Sequence, residues 1–301
     1  MSERKVLVTG AAGEIAQQVL PALYSRCELV LLDIRSADQA CAEAPGVQIA
    51  DLTNKDRDVY RHHFQGVDTV IHCAYVNSEI PDESAHAERK FWDELANVQM
   101  AYNIYQTSLD VGVRRVVVAS SNHAADYFEP LILGGTHGCI DPGDRALSDN
   151  YYGWAKEAYE HLGFVFAAGK QTRPNSTWIT GGIPKIGQQL EIVQIRIGGP
   201  RETDVANCAK GNLRCMRRAL GAYISERDLR QLFVKSVDAE DIRDDRGVPF
   251  QIFYGISGNT HAFWSIDNAR QVIGYVPEDN SEIRFADLID EHVRAAQEDG
   301  D

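Results

Sequence analysis

The first 33 residues carry a pattern that few folds accommodate. Two short apolar runs, KVLVTG and ELVLLD, flank a stretch whose apolar residues recur at helical spacing, AAGEIAQQVLPALYS. A strand, a glycine turn, a helix and a second strand within about 30 residues form a βαβ unit, and the two strands of such a unit are parallel. The beginning of the chain therefore predicts an α/β fold built on a parallel sheet.

The turn of this unit reads TGAAGEIA. Gly10 permits the tight turn, Gly13 lets the backbone approach a pyrophosphate, and Ala16 keeps the helix close to the strand. The beginning of the helix offers free N–H groups and the positive end of its dipole to phosphates. We therefore expect a dinucleotide to contact this segment, at Gly10, Ala12, Gly13, Glu14 and Ile15.

An acidic residue, Asp33, ends the second strand, 20 positions after Gly13. An acid in this place binds the ribose hydroxyls of adenosine and repels a 2′-phosphate, which favours NAD over NADP. The nearby Arg35 weakens this preference, because a cation attracts the 2′-phosphate. NAD is the predicted cofactor.

Strands and helices continue to alternate through residue 168. Apolar runs end near Asp51, at Ala74 and at Ser121, and a helix that carries Asn97 is predicted over 88–111. This alternation predicts a Rossmann-like, doubly wound parallel sheet, which binds ligands at the carboxyl ends of its strands. Further cofactor contacts are expected there, at Asp51, Leu52, Ala74, Tyr75 and Ser120.

The chain is expected to divide into two parts. An NAD-binding Rossmann domain is predicted over 1–200, and a smaller substrate-binding region over 201–301. A strand near 249–257 is predicted to return to the main sheet. Residues 166–190 are interpreted as an insertion.

Composition narrows the possible partners. A formal charge of −14 argues against nucleic-acid binding, which needs a basic surface. The chain has no apolar run of about 18 residues and begins without a signal-peptide core, so a cytoplasmic protein without a membrane partner is expected. Six cysteines lack C-x-x-C or zinc-ligand spacing, which predicts reduced thiols and no metal site.

The segment NYYGWAKE places Lys156 four residues after Tyr152, so the two side chains share a helix face. Ser121 directly follows a strand. A hydroxyl, a phenol and an ammonium group beside a nicotinamide are the groups that hydride transfer from an alcohol requires. A phenol with a pKa of about 10 is a poor base, but a nearby cation favours the phenolate. We predict Tyr152 as the general base, Lys156 as the residue that tunes it, and Ser121 as the group that orients the substrate oxygen.

The TGxxGxxA turn, the serine at the strand end, Asn97 and Y-x-x-x-K together resemble the extended short-chain dehydrogenase/reductase superfamily, over nearly the whole chain. The resemblance implies that Lys156 also holds the nicotinamide ribose and that Asn97 helps to order a proton relay. It also implies a homodimer that forms through the helices carrying Tyr152 and Asn97.

Four segments resemble uronate dehydrogenases more narrowly: ASSNH, YYGWAKE, QIRIGG and YGISGNTHAFWSIDNARQVIGYVPEDN. Those enzymes oxidise the anomeric carbon of a hexuronic acid to a lactone with NAD. The resemblance implies that Asn122 and His123 contact sugar hydroxyls and that Arg218 binds the substrate carboxylate. Asn77 is another expected substrate contact. Both Asn77 and Gly199 stand at positions where the family has a serine. The resemblance therefore implies the class of reaction more firmly than it implies the substrate.

These observations predict an NAD-dependent oxidoreductase that acts on the C1 hydroxyl of a free hexuronic acid or aldose. A nucleotide-sugar 4-epimerase would use the same serine, tyrosine and lysine. Epimerases usually need a larger C-terminal region than the roughly 100 residues that follow Arg196 here. A non-catalytic NAD-binding regulator is a third interpretation, although such proteins tend to lose the tyrosine–lysine pair.

Overall fold

Parallel strands form the central sheet of the protein. A computed structural model describes residues 4–36, 45–77, 87–169 and 187–298. In this part of the chain the strands are β1 (Arg4–Thr9), β2 (Cys27–Asp33), β3 (Gln48–Ile49), β4 (Thr69–His72), β5 (Arg115–Ser121), β6 (Glu191–Ile197) and β7 (Phe250–Gly255). They pair in the order β3-β2-β1-β4-β5-β6-β7, every pair parallel. The predicted Rossmann-like, doubly wound sheet is confirmed.

The α-helices of the same part of the chain lie between and after the strands. They are α1 (Glu14–Val19), α2 (Asp58–Arg61), α3 (Ala87–Val111), α4 (Glu129–Leu133), α5 (Tyr151–Ala168), α6 (Glu202–Ala206), α7 (Leu213–Ala222), α8 (Glu226–Asp238), α9 (Asp267–Ile273), α10 (Ser281–Arg284) and α11 (Ala286–Glu298). Short 3₁₀ helices cover Leu20–Ala22, His62–Phe64 and Asn122–Phe128.

The sheet is buried on both faces. Successive residues of β1 alternate between two hydrophobic clusters, with Val6 and Val8 in one and Leu7 in the other. Strands covered on both sides have continuous apolar sequences, which is the pattern seen in KVLVTG and ELVLLD. The polar residues that end these strands are consequently the ones left for a ligand.

The strand order reverses between β1 and β4, which opens a crevice at the carboxyl ends of these strands. Gly10 lies at this point with φ +65°, and a Cβ there would stand 2.6 Å from the Cα of Ala74. Only glycine fits such an approach. The glycine turn after β1 therefore contacts the segment that follows β4.

A buried ion pair fixes α5 to the sheet. Arg196 of β6 donates to both carboxylate oxygens of Glu160 at 2.9 and 2.7 Å, and to the hydroxyl of Tyr254 at 2.7 Å. Both charged side chains are almost fully buried. Removing one partner of such a pair costs about 3–5 kcal/mol, because the other charge is left uncompensated. The pair therefore holds α5 in one position on β6.

The region after β6 is tied together by a buried carboxylate on α8. Asp228 accepts hydrogen bonds from the hydroxyl of Ser257 at 2.6 Å and from the backbone N–H groups of Glu278 and Asp279 at 2.8 and 3.1 Å. These bonds join α8 to the segments that follow β7 and α9. The division into 1–200 and 201–301 stays a prediction, although β7 lies beside β6 in the main sheet.

The expectation of reduced cysteines is wrong for one pair. Cys208 and Cys215 form a disulfide with their Cα atoms 5.7 Å apart. The chain folds back between α6 and α7, a close approach that no spacing motif reveals. Within the described residues Cys27, Cys73 and Cys139 are in no disulfide, and Cys41 lies outside these residues.

Most of the interpreted insertion at 166–190 also lies outside the described residues. Within the ranges that are described, no helix has the length and apolar character needed to cross a bilayer.

Candidate active site

Asp33 holds the glycine turn against the end of β2. Its carboxylate accepts hydrogen bonds from the backbone N–H of Ala12 and of Arg35, each at 3.0 Å. The carboxylate is buried, and the partly exposed Arg35 guanidinium lies 3.9 Å from it. The acid predicted to read the adenosine ribose is therefore at the crevice, with a cation beside it.

The turn itself fits a dinucleotide. A Cβ on Gly13 would stand 3.1 Å from the carbonyl oxygen of Gly10, so any larger residue would crowd the turn. No side chain caps the first turn of α1, which begins at Glu14, and its first N–H groups have no intrahelical acceptor. These donors suit the pyrophosphate of NAD. The carboxylate of Glu14 pairs with Arg201, which leaves its backbone and that of Ile15 at the turn.

Two of the predicted cofactor contacts, Asp51 and Leu52, follow β3. Asp51 is exposed and accepts hydrogen bonds from the backbone N–H and the hydroxyl of Thr53, at 2.9 and 2.6 Å. Leu52 is buried, and its carbonyl accepts from the Asn103 amide at 2.9 Å. Asn103 of α3 thus holds this loop in place.

Asn97 binds the backbone of the segment that follows β4. Its Oδ1 accepts from the N–H of Val76 at 2.7 Å, and its Nδ2 donates to the Val76 carbonyl at 3.0 Å. The hydroxyl of Tyr75 donates to Glu94 of α3 at 2.5 Å. These bonds position Tyr75 and the exposed Asn77 at the crevice, and the proton-relay role of Asn97 stays a prediction.

Lys156 is anchored beside Tyr152. Its Nζ donates to the carbonyl of Ala119 at 3.2 Å and lies 5.5 Å from the centre of the Tyr152 ring. The rings of Tyr75 and Tyr159 each lie 5.0 Å from the same nitrogen. Aromatic faces stabilise a buried cation. The i, i+4 spacing therefore gives the predicted arrangement of Tyr152 and Lys156.

Tyr152 lies between two other rings. The Tyr75 and His123 rings both contact it edge-on, with centres 5.6 Å away. His123 in turn donates its backbone N–H to the Ser121 hydroxyl at 3.2 Å, and its Nδ1 lies 2.9 Å from Asp126. Ser121 thus ends β5, and His123, two residues later, links its hydroxyl to the Tyr152 ring.

Gly153 makes this contact possible. A Cβ at Gly153 would lie 2.1 Å from the Ser148 hydroxyl and 2.2 Å from the carbonyl oxygen of His123. The N–H of Gly153 is bonded to the N-cap side chain, Asn150, at 2.9 Å. The beginning of α5 is therefore pressed onto the loop that carries Ser121 and His123.

Ser120 is directed elsewhere. Its hydroxyl donates at 3.1 Å to Glu160, the partner of Arg196. Alternate residues of a strand point to opposite sides of the sheet, so Ser120 and Ser121 have different surroundings. The cofactor contact predicted for Ser120 stays a prediction.

Arg218 on α7 forms a two-point ion pair with Glu129 on α4. Its Nε and one terminal nitrogen donate to the two carboxylate oxygens at 2.8 and 3.0 Å. The amide of Asn122 also donates to Glu129, at 3.3 Å. Glu129 was missed in the sequence, where it lies in a long stretch before Tyr152 and belongs to no motif.

Comparison with known proteins identifies the family. Residues 6–173, more than half of the chain, match the NAD dependent epimerase/dehydratase family. The chain belongs to this family. The family's description confirms the predicted cofactor, NAD.

Several relatives are similar over nearly their full length. The NAD-dependent glucose-6-phosphate dehydrogenase of Haloferax volcanii is 27% identical over 93% of this chain and 95% of its own. The uronate dehydrogenase of Pseudomonas syringae pv. tomato is 27% identical over 98% and 89%. The crystal structure of a glucuronic acid dehydrogenase from Chromohalobacter salexigens, 26% identical, superposes with a TM-score of 0.68 over 95% and 88%. These likenesses confirm the resemblance to extended short-chain dehydrogenases and to uronate dehydrogenases.

The cofactor preference can be tested at Asp33. Asp33→Asn keeps an oxygen for the N–H of Ala12 but removes the charge that repels a 2′-phosphate, while Arg35 remains. We expect the affinity for NADP relative to NAD to rise about tenfold or more. Calorimetric titration of both nucleotides measures this ratio. Glu28→Gln, an exposed charge removal on the same strand, is the control, and an unchanged ratio in Asp33→Asn contradicts the assignment.

The close packing at Gly153 gives a second prediction. An alanine in an exposed helix stabilises by about 1 kcal/mol relative to glycine. Here the added methyl meets a backbone oxygen, so Gly153→Ala is expected to lower the free energy of unfolding by about 1–3 kcal/mol. Thermal unfolding measures the change. Gly138→Ala, in a loop where a Cβ meets open space, is the control for the substitution itself. A higher Tm for Gly153→Ala would refute the packing argument.

Proposed function

We propose that this protein is an NAD-dependent dehydrogenase that oxidises the C1 hydroxyl of a free sugar, a hexuronic acid or an aldose, to a lactone. The observation that carries the proposal is the cluster of Tyr152, Lys156 and Ser121, next to the crevice where the glycine turn meets β4. Full-length similarity to proteins named as sugar dehydrogenases supports the same reaction.

In the proposed mechanism the sugar O1 lies against Tyr152 and Ser121. Bound NAD supplies the acceptor for the hydride that leaves C1, and the carbonyl of a lactone forms as the hydroxyl proton departs. Tyr152 accepts this proton on its phenolate oxygen. Lys156, 5.5 Å from the ring centre, stabilises the phenolate by its charge. Ser121 hydrogen-bonds the reacting oxygen and holds it toward the tyrosine.

The remaining residues divide into cofactor and sugar contacts. Residues 1–200 are proposed to bind NAD through the turn at Gly10 and the carboxylate of Asp33, with Lys156 also on the nicotinamide ribose. Residues 201–301 are proposed to close over the sugar. Asn122 and His123 are the proposed contacts to its hydroxyls, because both follow Ser121 directly. A cytoplasmic location without nucleic-acid or membrane partners completes the proposal.

A nucleotide-sugar 4-epimerase would use the same three catalytic side chains. In the described residues the chain after β7 provides only α9, α10 and α11, which favours a small substrate over one that carries a nucleotide. A non-catalytic regulator is disfavoured because the chain keeps the tyrosine, the lysine and the serine close together. Lys156 lies 5.5 Å from the centre of the Tyr152 ring, and His123 contacts both Ser121 and Tyr152.

Assembly is proposed to occur through α3 and α5, which pack side by side. Both helices expose aromatic side chains, namely Trp92 and Tyr102 on α3 and Tyr151 and Phe164 on α5. We propose that these side chains form one apolar patch, a feature that marks protein interfaces. A second copy of the chain would cover them in a four-helix contact.

The proposed homodimer predicts the effect of a charge in this patch. Wild-type protein is expected to have twice the mass of the chain in light scattering after size-exclusion chromatography. Trp92→Glu, which places a charge on a side chain that is 57% exposed, is expected to give the monomer. Ile283→Glu, at an apolar side chain 80% exposed on α10, is the control and should stay dimeric. A monomeric wild type would disprove this interface.

The reaction itself is tested by NADH formation over a panel of free uronic acids, neutral aldoses and UDP-sugars. Tyr152→Phe removes the proposed base and is expected to lower kcat by about 10²–10⁴-fold. Tyr151→Phe removes the neighbouring hydroxyl from the same helix turn and is expected to keep wild-type turnover. No NADH from any free sugar, together with epimerisation of a UDP-sugar, would show that the protein is an epimerase.

A further inference from the structure

The arginine expected to bind a substrate carboxylate already binds one from the protein. Arg218 meets Glu129 through two parallel N–H···O bonds of 2.8 and 3.0 Å. This two-point geometry is the one that arginine uses for a ligand carboxylate. The Glu129 side chain is largely buried, whereas that of Arg218 is 28% exposed, so the pair lies at the edge of the interior. The carboxylate-binding edge of Arg218 is therefore occupied.

Other carboxylates surround the pair. Burial lowers the pKa of Arg218, but the hydrogen bond and charge of Glu129 and the charges of Asp204 and Asp126 outweigh it and raise the pKa above its ordinary value. Asp126 is held ionised: burial raises its pKa, while hydrogen bonds from His123, Ser148 and Asn150 bring the pKa below its usual value. The negative charges around Arg218 thus outnumber its single positive charge.

A second arginine beside these carboxylates is also paired. Arg201 binds the carboxylate of Glu14 at 2.5 Å, and Asp204 lies 3.9 Å from it. In the described residues, Arg201 and Arg218 therefore face the carboxylates of Glu14, Asp126, Glu129 and Asp204. Around these two arginines four carboxylates stand against two positive charges, so neither arginine offers an uncompensated charge to an anionic group on the sugar.

Glu129 is linked to the catalytic residues. The Oε1 of Glu129, which accepts from a terminal nitrogen of Arg218, also accepts from the Asn122 amide at 3.3 Å. The Oδ1 of Asn122 in turn accepts from the Ser121 hydroxyl at 3.4 Å. A uronate could bind Arg218 only by displacing Glu129. The displaced carboxylate would stay buried without its counter-charge, which is strongly unfavourable.

We infer that the substrate of this enzyme is a neutral aldose and that Glu129 is the residue that excludes sugars with an acidic group. This inference rests on the proposed dehydrogenase function and narrows its substrate. Glu129 occupies the carboxylate subsite itself, so a neutral sugar carbon takes the place that a carboxylate would take. Sugar phosphates are excluded on the same electrostatic ground.

The experiment compares sugars that differ only at C6, galactose with galacturonate and glucose with glucuronate and glucose 6-phosphate. The wild type is expected to favour each neutral sugar over its anionic partner by about 100-fold or more in kcat/KM. Glu129→Gln keeps the size of the side chain and an oxygen for Asn122 but removes the charge, which frees Arg218. Its preference is expected to shift toward the uronate by about tenfold or more.

The double variant Glu129→Gln, Arg218→Gln separates the two effects. It lacks both charges, so the gain with uronates is expected to vanish, whereas a gain that persists would show that Arg218 is not the uronate contact. Turnover of the neutral sugars reports separately on the dehydrogenase function. A wild type that oxidises uronates as well as neutral aldoses overturns the inference and leaves the dehydrogenase proposal standing.

Binding provides a readout that does not depend on turnover. The Tm of the NADH complex of Tyr152→Phe is measured with each sugar. Stabilisation by the neutral aldoses alone supports the inference, even if no NADH is formed by the wild type. Equal stabilisation by uronates, or no stabilisation by any neutral aldose, overturns it.

Discussion

The buried ion pair between Glu160 and Arg196 is the interaction on which the proposed catalytic geometry depends. It joins α5 to β6 in the interior, and Ser120 on β5 donates to the same carboxylate. One turn before Glu160 on the same helix, Lys156 is tied to the backbone of β5 at Ala119. With α5 fixed by these two contacts, the beginning of the helix can press Gly153 onto the loop after β5, and Tyr152 faces the crevice. Rigid elements hold the reacting groups, as precise hydrogen-bond geometry requires.

In the proposed function, catalysis and specificity are carried by different elements. The groups proposed to handle the proton come from β5 and α5. The pair proposed to set the charge of the sugar subsite joins α4, in the long stretch before Tyr152, to α7 in the C-terminal region. Under this proposal, a change of charge at Glu129 or Arg218 alters the substrate class without moving Tyr152. Loops placed on a rigid scaffold commonly set specificity in this way.

Local patterns made much of this site predictable. The glycine turn, Asp33 at the end of β2 and the spacing of Tyr152 and Lys156 are encoded within single elements, and the structure brings them to one crevice as the topology requires. Interactions between distant segments were not predictable in the same way. Glu129 lies 89 residues from Arg218, and the Cys208–Cys215 disulfide depends on how the chain turns between two short helices. The hydrogen bonds of Asn97 to the backbone of Val76 likewise follow from packing that no spacing rule expresses.

In the proposed function, hydride passes from C1 of a free sugar to the cofactor while Tyr152 accepts the hydroxyl proton. Turnover of a neutral aldose that carries deuterium at C1, followed by mass spectrometry of the nucleotide, tests this step. The NADH formed is expected to contain one deuterium, and the sugar product is expected to be a lactone without it. Deuterium that stays entirely in the sugar, with no labelled NADH, would rule out hydride transfer from C1.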